Sequence, residues 1–378
     1  MRFVDQANRL EQTPIAPGDF YYNSKNQSIA RGDSPVGTMS KIISISICII
    51  GVATALLLTG CAKKNALTIY TSVDQDYAEP IIQTFIDANP EMQINVLYDN
   101  EKTKTTGVFE RIRREARNPQ ADVFWNSEIV RTIQLKQEDL LAPYLSPSAA
   151  EIPAQFKDSE GYWTGFSVRA RVMLINRDLV PKSETPNSIP ALGSTKIPGK
   201  RAMAVPAFGT TATHMAALYT KLGEMELIKQ IGTARVFGKM TMRTSNSDVR
   251  DGVANGELAF GLTDTDDAFA AIDAGKPVEM VYLDHEGQGT LVIPNTVALI
   301  KNALHPENGQ AFIDYILSPE VERKLAETRA RQIPVRSSVE LPEGVPSLES
   351  IHAMDIDYEV VAKNIETCIQ FLRDKNFF

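Results

Sequence analysis

The sequence predicts an α/β protein with two lobes, each built on a doubly wound sheet, and two crossing strands that join the lobes. Short β-rich runs alternate with helical patterns from residue 66 onward, which is typical of parallel sheets with helices on both faces. Two extended runs, at 163–176 and 291–300, flank a second block of this kind. The chain has 378 residues, which is enough for two ordinary domains.

The first α/β block begins at residue 66. Strands are predicted at 66–71, 93–98 and 122–125, where apolar and β-branched residues cluster. Helices are predicted at 80–88, 108–117 and 129–136, where apolar residues recur at helical spacing. Asn89-Pro90 and Asn118-Pro119 end the first two helices, because the residue before a proline disfavours helical geometry.

The second block lies between the two extended runs. Its predicted strands are 202–205, 258–262 and 278–282, and its predicted helices are 211–222, 247–255 and 267–274. Further helices are predicted at 306–317, 320–328 and 358–374. We therefore expect residues 61–168 and 297–378 to form lobe one and residues 169–296 to form lobe two. Open sheets bind ligands beyond their strand ends, so the site is expected in a cleft between lobes that close about a hinge.

An apolar run at 42–58 follows Lys41 and ends at Leu58-Thr59-Gly60-Cys61. A positive flank, an apolar segment of this size and a small-residue end are typical of a secretion signal. The ending resembles the bacterial lipobox, which implies cleavage before Cys61 and lipidation of that cysteine. A transmembrane anchor is the alternative, although the run is only marginally long enough to span a bilayer.

Residues 39–60 are thus predicted to be a lipoprotein signal, since Met39 followed by Ser40 and Lys41 would be a normal start. Residues 1–38 lack apolar periodicity, and we expect them to be an over-called start or, if translated, disordered. In either case the working protein is expected outside the cytoplasmic membrane, in the periplasm or at the cell surface, held by its lipid.

Charge and cysteine content exclude several classes of function. The formal net charge is −8, which argues against a nucleic-acid partner and against holding an anion by bulk charge alone. Cys48 and Cys61 belong to the signal and its end, so Cys368 is left as a free thiol, without a disulfide or a cysteine metal site. The histidines lack metal-ligand spacing, and we find no nucleophile motif. We expect a monomer with no enzymatic activity and no cofactor.

Three carboxylates crowd one loop at Asp264, Asp266 and Asp267. Neighbouring carboxylates repel one another unless a cation or hydrogen-bond donors compensate. The loop is therefore a candidate site for a divalent metal or for an organic amine. The structural alternative is that Asp264 caps the helix that follows and that the other two acids stabilise its first turn.

A second candidate site is the turn between a predicted strand and a helix at Gly209-Thr210-Thr211. Free backbone N–H groups and hydroxyls at a helix start can bind an oxyanion or a hydroxyl group. Simple capping of the helix by Thr210 or Thr211 is the alternative, and the two interpretations are compatible.

Further candidates follow the first and third predicted strands. Ser72 and Asp74 come directly after the first strand, so we expect them to face the cleft. Trp125 and Asn126 end the third strand, and Trp125 either stacks on a ligand or packs in the core. Three more residues have structural alternatives: His214 is expected to be structural, and Arg169 and Arg171 point either to the cleft or to surface salt bridges.

Six short stretches of the chain, taken together in their order and spacing, form a recognisable pattern. They are L-T-I-Y-T-S (67–72), A-D-V-F-W-N-S-E (121–128), P-A-F-G-T-T (206–211), V-A-N-G-E-L-A-F-G-L-T-D (253–264), P-N-T-V-A-L-I (294–300) and A-F-I-D-Y-I-L-S (311–318). Together they resemble the extracytoplasmic solute-binding proteins of ABC importers, specifically the ferric-iron-binding group and its relatives. The resemblance implies a type II periplasmic-binding-protein fold that captures a small solute and delivers it to a membrane permease.

The residues typical of iron ligands in this family are not all present in this chain. Iron-binding members resemble one another in a His or Gln after the first strand, a carboxylate after the A-D-V-F strand and a pair of adjacent tyrosines, which suit Fe(III). This chain has Asp74 near the first position, Glu128 one residue late for the second, and Asp266-Asp267 in place of the tyrosines. If a metal ion is the cargo, its expected ligands are Asp74, Glu128, Asp266 and Asp267.

A substrate-binding lipoprotein for iron or another metal ion is therefore the leading functional hypothesis. The alternative cargo is a phosphorylated, phosphonate or amine-bearing organic solute, which would fit the Gly-Thr-Thr turn; a zwitterion would also suit the acidic loop. A secreted enzyme and a sensor or adhesion lipoprotein remain further hypotheses.

Overall fold

The structure is a computed structural model that describes residues 65–99, 106–284 and 287–378. Residues 1–38, the predicted signal, the predicted lipidation site Cys61 and His285 lie outside these ranges. Within them, no helix is both long and apolar enough to cross a membrane.

The described residues form ten strands and nine α-helices. The strands are β1 (Ala66–Thr71), β2 (Gln93–Tyr98), β3 (Val123–Asn126), β4 (Leu141–Ala142), β5 (Thr164–Asn176), β6 (Arg201–Ala204), β7 (Thr241–Arg243), β8 (Phe260–Asp264), β9 (Val278–Tyr282) and β10 (Val292–Ile300). The helices are α1 (Gln75–Ala88), α2 (Thr106–Arg114), α3 (Val130–Gln137), α4 (Gly209–Val236), α5 (Asn246–Ala254), α6 (Thr265–Asp273), α7 (Pro306–Ile316), α8 (Pro319–Glu327) and α9 (Tyr358–Asp374). Most predicted elements are present, with ends that differ by one or two residues.

Three helices differ more from the prediction, and one of them, α2, ends three residues before the predicted residue 117. Helix α1 begins at Gln75 instead of residue 80, and Pro80 lies inside it at an exposed position. Helix α4 continues to Val236, but Gly223 has φ 75° and ψ 169° and divides it into two helical segments. Glycine adopts such a positive φ without steric cost, so the kink is a feature that helical periodicity alone does not show.

One hydrogen-bonded strand order, β2-β1-β3-β10-β5-β8-β6-β7, runs through the described residues, with β4 on β10 and β9 on β5. Strand β1 pairs parallel with β2 and β3, and β6 pairs parallel with β7 and β8. Strand β5 pairs with β10 along its first half and with β8 and β9 along its second half. We call the part built on β1–β4 lobe one and the part built on β6–β9 lobe two. The predicted crossing strands are thus confirmed.

Strand β5 is buried at all 13 positions and β10 at all nine. Side chains alternate between the two faces of a strand, and in β5 the two faces pack into different apolar clusters. Val172 and Leu174 join one cluster, whereas Met173 and Ile175 join another. This burial on both faces explains the unbroken apolar run at 172–175.

Helix α9 contacts both lobes through its polar side chains. Glu366 accepts a hydrogen bond from Arg131 of α3 at 2.5 Å, and Asn364 donates one to Thr220 of α4 at 3.1 Å. Cys368 lies on the buried face of α9, and burial raises the pKa of its thiol to about 12. A thiol with so high a pKa is unreactive at neutral pH.

Both crossing strands are irregular at the same level. Ser167 of β5 has φ 42°, and the register between β5 and β10 shifts between Pro294 and Asn295. The Asn295 amide donates to the Ser167 carbonyl and to Gln332 Oε1, at 2.6 Å each. Glu322 of α8 accepts a 3.0 Å hydrogen bond from the Ser167 N–H. Side chains thus replace the missing strand hydrogen bonds at this bend.

Candidate functional site

A small polar cavity of about 70 Å³ lies between the two lobes. Helices α4, α5 and α6 of lobe two all begin beside it, so three positive helix ends converge there. Asp74 and Ser127 contribute from lobe one. The lining residues are Asp74, Ser127, Arg169, Gly209, Thr210, Ser245, Asn246, Ser247, Asp264, Asp266 and Asp267. The structure therefore brings six of the eleven predicted ligand residues to one cavity: Asp74, Gly209, Thr210, Asp264, Asp266 and Asp267.

Arg169 of the crossing strand β5 connects the two lobes at this cavity. Its guanidinium donates to the Ser127 carbonyl at 2.6 Å and to Asp266 Oδ2 at 3.0 Å. The residue is 7% exposed, and its Nε has no hydrogen-bond partner among the described residues. Burial disfavours the charge, but the carboxylates of Asp266 and Asp264 outweigh this and raise the pKa of Arg169. The guanidinium is therefore a permanent positive charge between the lobes.

Arg171, two residues further along β5, forms a fully buried ion pair with Asp264. Its Nη1 lies 2.5 Å from Asp264 Oδ1 and also donates to Thr210 Oγ1 at 3.1 Å, while Nη2 donates to Thr211 Oγ1 at 3.2 Å. Asp264 Oδ2 accepts from Thr210 Oγ1 at 2.6 Å and from the Asn246 amide at 3.0 Å. Burial opposes ionisation of Asp264, but Arg171 and Arg169 hold its pKa below the usual value.

Arginines pair with all three carboxylates of the acidic loop. Asp264 pairs with Arg171 and Asp266 with Arg169. The third acid, Asp267, lies 3.2 Å from Arg250 Nη1 and accepts a hydrogen bond from Thr263 at 2.9 Å. One oxygen from each of the three carboxylates still lies within 4.8 Å of the others. The predicted cation site is thus geometrically compact, but its charge is already balanced.

The expected helix caps are absent from two of the lobe-two helices. The residue before α4 is Phe208, which makes no side-chain cap, and the Thr210 and Thr211 hydroxyls bind Asp264 and Asn246 instead. Asp264 precedes α6 but makes no cap either, because Arg171 holds its carboxylate. The first N–H groups of an α-helix cannot bond within the helix, so the start of α4 keeps its affinity for an anion. At the start of α6 the Asp267 N–H already donates to the Asp266 carboxylate at 3.0 Å.

Glu128 caps a helix instead of occupying the predicted metal site. Its carboxylate accepts hydrogen bonds from the backbone N–H groups of Val130 and Arg131 at 2.7 and 2.8 Å. It also accepts from the Thr213 hydroxyl of α4 at 3.1 Å, across the two lobes. With 1% exposure and these three donors, Glu128 holds helix α3 and lies away from the cavity.

The four remaining predicted ligand residues, Ser72, Trp125, Asn126 and Thr211, do not line the cavity. Ser72 donates to Asn126 Oδ1 at 2.6 Å and accepts from the Ser127 N–H at 2.9 Å, and both side chains are buried. Trp125 is fully buried, with its ring centroid 6.2 Å from that of Phe166. Of the two alternatives for Trp125, the structure therefore shows packing in the core. Thr211, just inside α4, likewise contacts Arg171 and does not line the cavity.

A much wider part of the cleft, of about 1220 Å³, adjoins the cavity. Asp74 and Ser247 line both regions, and Tyr77, Tyr98 and Arg329 line the wide part alone. Burial and the carboxylates of Asp266 and Asp74 raise the pKa of Tyr77 to about 12. The sequence did not identify Tyr77 and Tyr98 as candidates, because they are separated along the chain and do not form the adjacent tyrosine pair of the iron-binding members.

His214 lies behind the Arg171–Asp264 pair and is almost fully buried. Burial and the charge of Arg171 lower its pKa to about 3. The folded imidazole therefore stays neutral, while the unfolded chain takes up a proton below about pH 6.5. Since the unfolded state binds more protons between these two values, stability must fall as pH is lowered through this window.

We expect the free energy of unfolding to drop by about 2 kcal/mol between pH 6.5 and pH 5 through His214 alone. Urea unfolding of the wild type and of His214→Gln at several pH values measures this difference. The carboxylate of Asp264 contributes only below its ordinary pKa, so it does not obscure the window. His352→Gln, at an exposed histidine, is the control; equal slopes in all three proteins would contradict the assignment.

The crossing strands join two lobes, and a polar cavity between these lobes adjoins a wide cleft. This arrangement defines the class of two-lobed solute-binding proteins. The chain is similar to iron-bound HitA from Pseudomonas aeruginosa, with a TM-score of 0.73, 21% identity, and coverage of 82% of this chain and 99% of that chain. It is also similar to AfuA from Actinobacillus pleuropneumoniae with bound fructose-6-phosphate, with a TM-score of 0.71, 21% identity, and coverage of 82% of this chain and 98% of that chain. These likenesses confirm the type II periplasmic-binding-protein fold.

Sequence relatives point the same way. Iron uptake protein A1 of Synechocystis is 24% identical over 65% of this chain and 70% of its own length. A putative 2-aminoethylphosphonate-binding periplasmic protein of Salmonella typhi is 25% identical over 69% and 78%. Residues 82–353 match the family of bacterial extracellular solute-binding proteins, and the chain belongs to this family. It is accordingly a binding protein of the ABC-importer type that works outside the cytoplasm, and not an enzyme.

Proposed function

We propose that this protein captures a small organic solute that carries an oxyanion, a phosphate or a phosphonate, and delivers it to an ABC permease. One observation carries the proposal: Arg169 and the uncapped N-terminus of α4 meet at a single cavity between the lobes. Gly209 lines that cavity with φ 54°, and no atom lies within 4 Å of where its Cβ would be. An oxyanion could therefore approach the helix end without a steric barrier.

The charge balance favours an oxyanion over a bare metal ion. A cation at the acidic loop would have to draw Asp264 and Asp266 away from Arg171 and Arg169, which would leave buried guanidiniums without partners. An oxyanion instead brings its own acceptor to Arg169, whose Nε has none among the described residues, so the guanidinium stays paired. The relative named for 2-aminoethylphosphonate and the solved AfuA complex with fructose-6-phosphate show that related proteins are linked to such ligands.

Calorimetric titration of the mature chain with 2-aminoethylphosphonate, fructose-6-phosphate and inorganic phosphate tests the proposal. We expect at least one organic oxyanion to bind, and Arg169→Met to weaken that binding about 10- to 100-fold, since hydrogen bonds to charged groups contribute roughly 1.5–3 kcal/mol. Arg177→Met is the matched control, because Arg177 follows the same strand but pairs with Glu279 on lobe two. Equal binding by wild type and Arg169→Met would overturn the assignment.

A metal ion is the second candidate cargo, because the three loop carboxylates have oxygens within 4.8 Å of one another. Such an oxygen-rich group suits a hard cation. Titration of chelator-treated protein with Fe(III) and Mn(II) distinguishes the two proposals. Binding of metal with no response to any phosphate or phosphonate, and its loss in Asp266→Ala, would favour this candidate.

We further propose that the protein is tethered through a lipid on Cys61, as the lipobox-like ending implies. The tether would keep the binding protein beside its permease. Mass spectrometry of the protein extracted from membranes checks this, since a mature chain that begins at an unmodified residue would contradict it.

A further inference from the structure

Asp266 holds Arg169 through the same type of contact that a ligand oxyanion would make. Its Oδ2 lies 3.0 Å from Arg169 Nη1, and its Oδ1 accepts a hydrogen bond from the Asp267 N–H at 3.0 Å, in the first turn of α6. One guanidinium and one helix-start amide thus bind the carboxylate. Both Asp266 and Arg169 line the cavity, and both are more than nine-tenths buried.

We propose that Asp266 is a resident substitute for the ligand's oxyanion and makes the site selective for zwitterions, an inference that rests on the proposed function. A phosphonate that binds Arg169 competes with the Asp266 carboxylate for that guanidinium. Removing the partner of a buried carboxylate is strongly destabilising. A ligand that also carries an ammonium group supplies a new partner for Asp266, whereas a plain phosphonate does not.

The charges around the cavity support this selectivity. Asp74, Asp264, Asp266 and Asp267 contribute four carboxylates to its lining, while the guanidiniums paired with the loop are those of Arg169, Arg171 and Arg250. A doubly negative ligand would bring its second negative charge close to these carboxylates, which repel it. A zwitterion places its positive end among these carboxylates and its negative end on Arg169 and the start of α4, so both ends are stabilised.

Ethylphosphonate and 2-aminoethylphosphonate are a matched pair of probes, because they differ by the amine alone. We expect wild-type protein to bind 2-aminoethylphosphonate at least 10-fold more tightly in calorimetric titrations. Asp266→Asn removes the resident negative charge and keeps the side-chain shape. In this variant the aminophosphonate should bind about 10-fold more weakly and ethylphosphonate about 10-fold more tightly, so that the preference disappears or reverses.

Asp273→Asn is the control, because Asp273 ends the same helix but pairs with Arg331 away from the cavity. Thermal unfolding of each variant confirms that it is folded before titration. The inference is overturned if wild type binds both phosphonates equally, or if Asp266→Asn shifts both affinities in the same direction. If neither these phosphonates nor a phosphate ester binds the wild type, the proposed function fails, and this inference fails with it.

Discussion

Replacing Arg171 with methionine should lower the free energy of unfolding by about 3–5 kcal/mol, because removing one partner of a buried ion pair leaves the other charge unpaired. Arg171 is fully buried, and its guanidinium lies 2.5 Å from Asp264, which is 1% exposed. The same guanidinium donates to Thr210 and Thr211 at the start of α4. The substitution should therefore also disturb the helix end that lines the cavity, and weaken ligand binding.

Urea unfolding of wild type and Arg171→Met measures the loss of stability. Arg111→Met is the control, because Arg111 is exposed and pairs with the partly exposed Glu115 just past the end of α2, where such pairs contribute less than about 1 kcal/mol. The double variant Arg171→Met/Asp264→Leu should recover much of the stability, since an apolar pair can replace a buried ion pair. If the single variant is no less stable than the Arg111 control, the pair does not hold the site together.

The fold followed from the sequence because its signals are local. Strand β5 is apolar enough to be recognised as a crossing strand, and its burial on both faces is what that composition requires. Helix α9 likewise carries a regular apolar stripe. The kink at Gly223 could not be foreseen in the same way, because a glycine within a helical pattern is compatible with an unbroken helix.

The pairing of the site residues could not be read from the sequence. Arg169 and Asp266 are 97 positions apart, and Arg171 and Asp264 are 93 apart. Their contacts depend on the register between β5 and β8, which places Arg171 directly opposite Asp264. A shift of one residue would turn each side chain to the other face of the sheet. The local pattern showed three crowded acids but gave no sign of the arginines that neutralise them.

Glu128 illustrates the same limit in a different way. Its place one residue after the expected carboxylate suggested a metal ligand, but its two oxygens cap α3 and accept a hydrogen bond from Thr213, 85 positions away. A carboxylate just before a helix accepts hydrogen bonds from the free N–H groups at the helix start. These local contacts hold the Glu128 carboxylate away from the predicted metal site. Local capping therefore decided the role of Glu128, whereas for Asp264 the long-range arginine prevailed over capping.

Arg336→Met should cost about 3–5 kcal/mol of stability as well, for the same reason at a different place. Arg336 and Glu322 form a buried ion pair of 2.7 Å, with side chains that are 1% and 0% exposed. Glu322 also accepts hydrogen bonds from the N–H groups of Ser167 and Val335, at 3.0 Å each. Loss of the guanidinium would therefore leave the Glu322 carboxylate unpaired in the core, and it would also weaken the bend of the crossing strand.

The control for this prediction lies on the helix that carries Glu322. Arg323 pairs with Glu327 at the exposed surface of α8, so Arg323→Met should change the free energy of unfolding by less than about 1 kcal/mol. Hydrogen exchange at the Ser167 amide adds a local measurement, because its acceptor is the Glu322 carboxylate. Faster exchange in Arg336→Met than in Arg323→Met is expected. Unchanged exchange together with unchanged stability would mean that the bend between the lobes is held by the Asn295 amide without help from the buried ion pair.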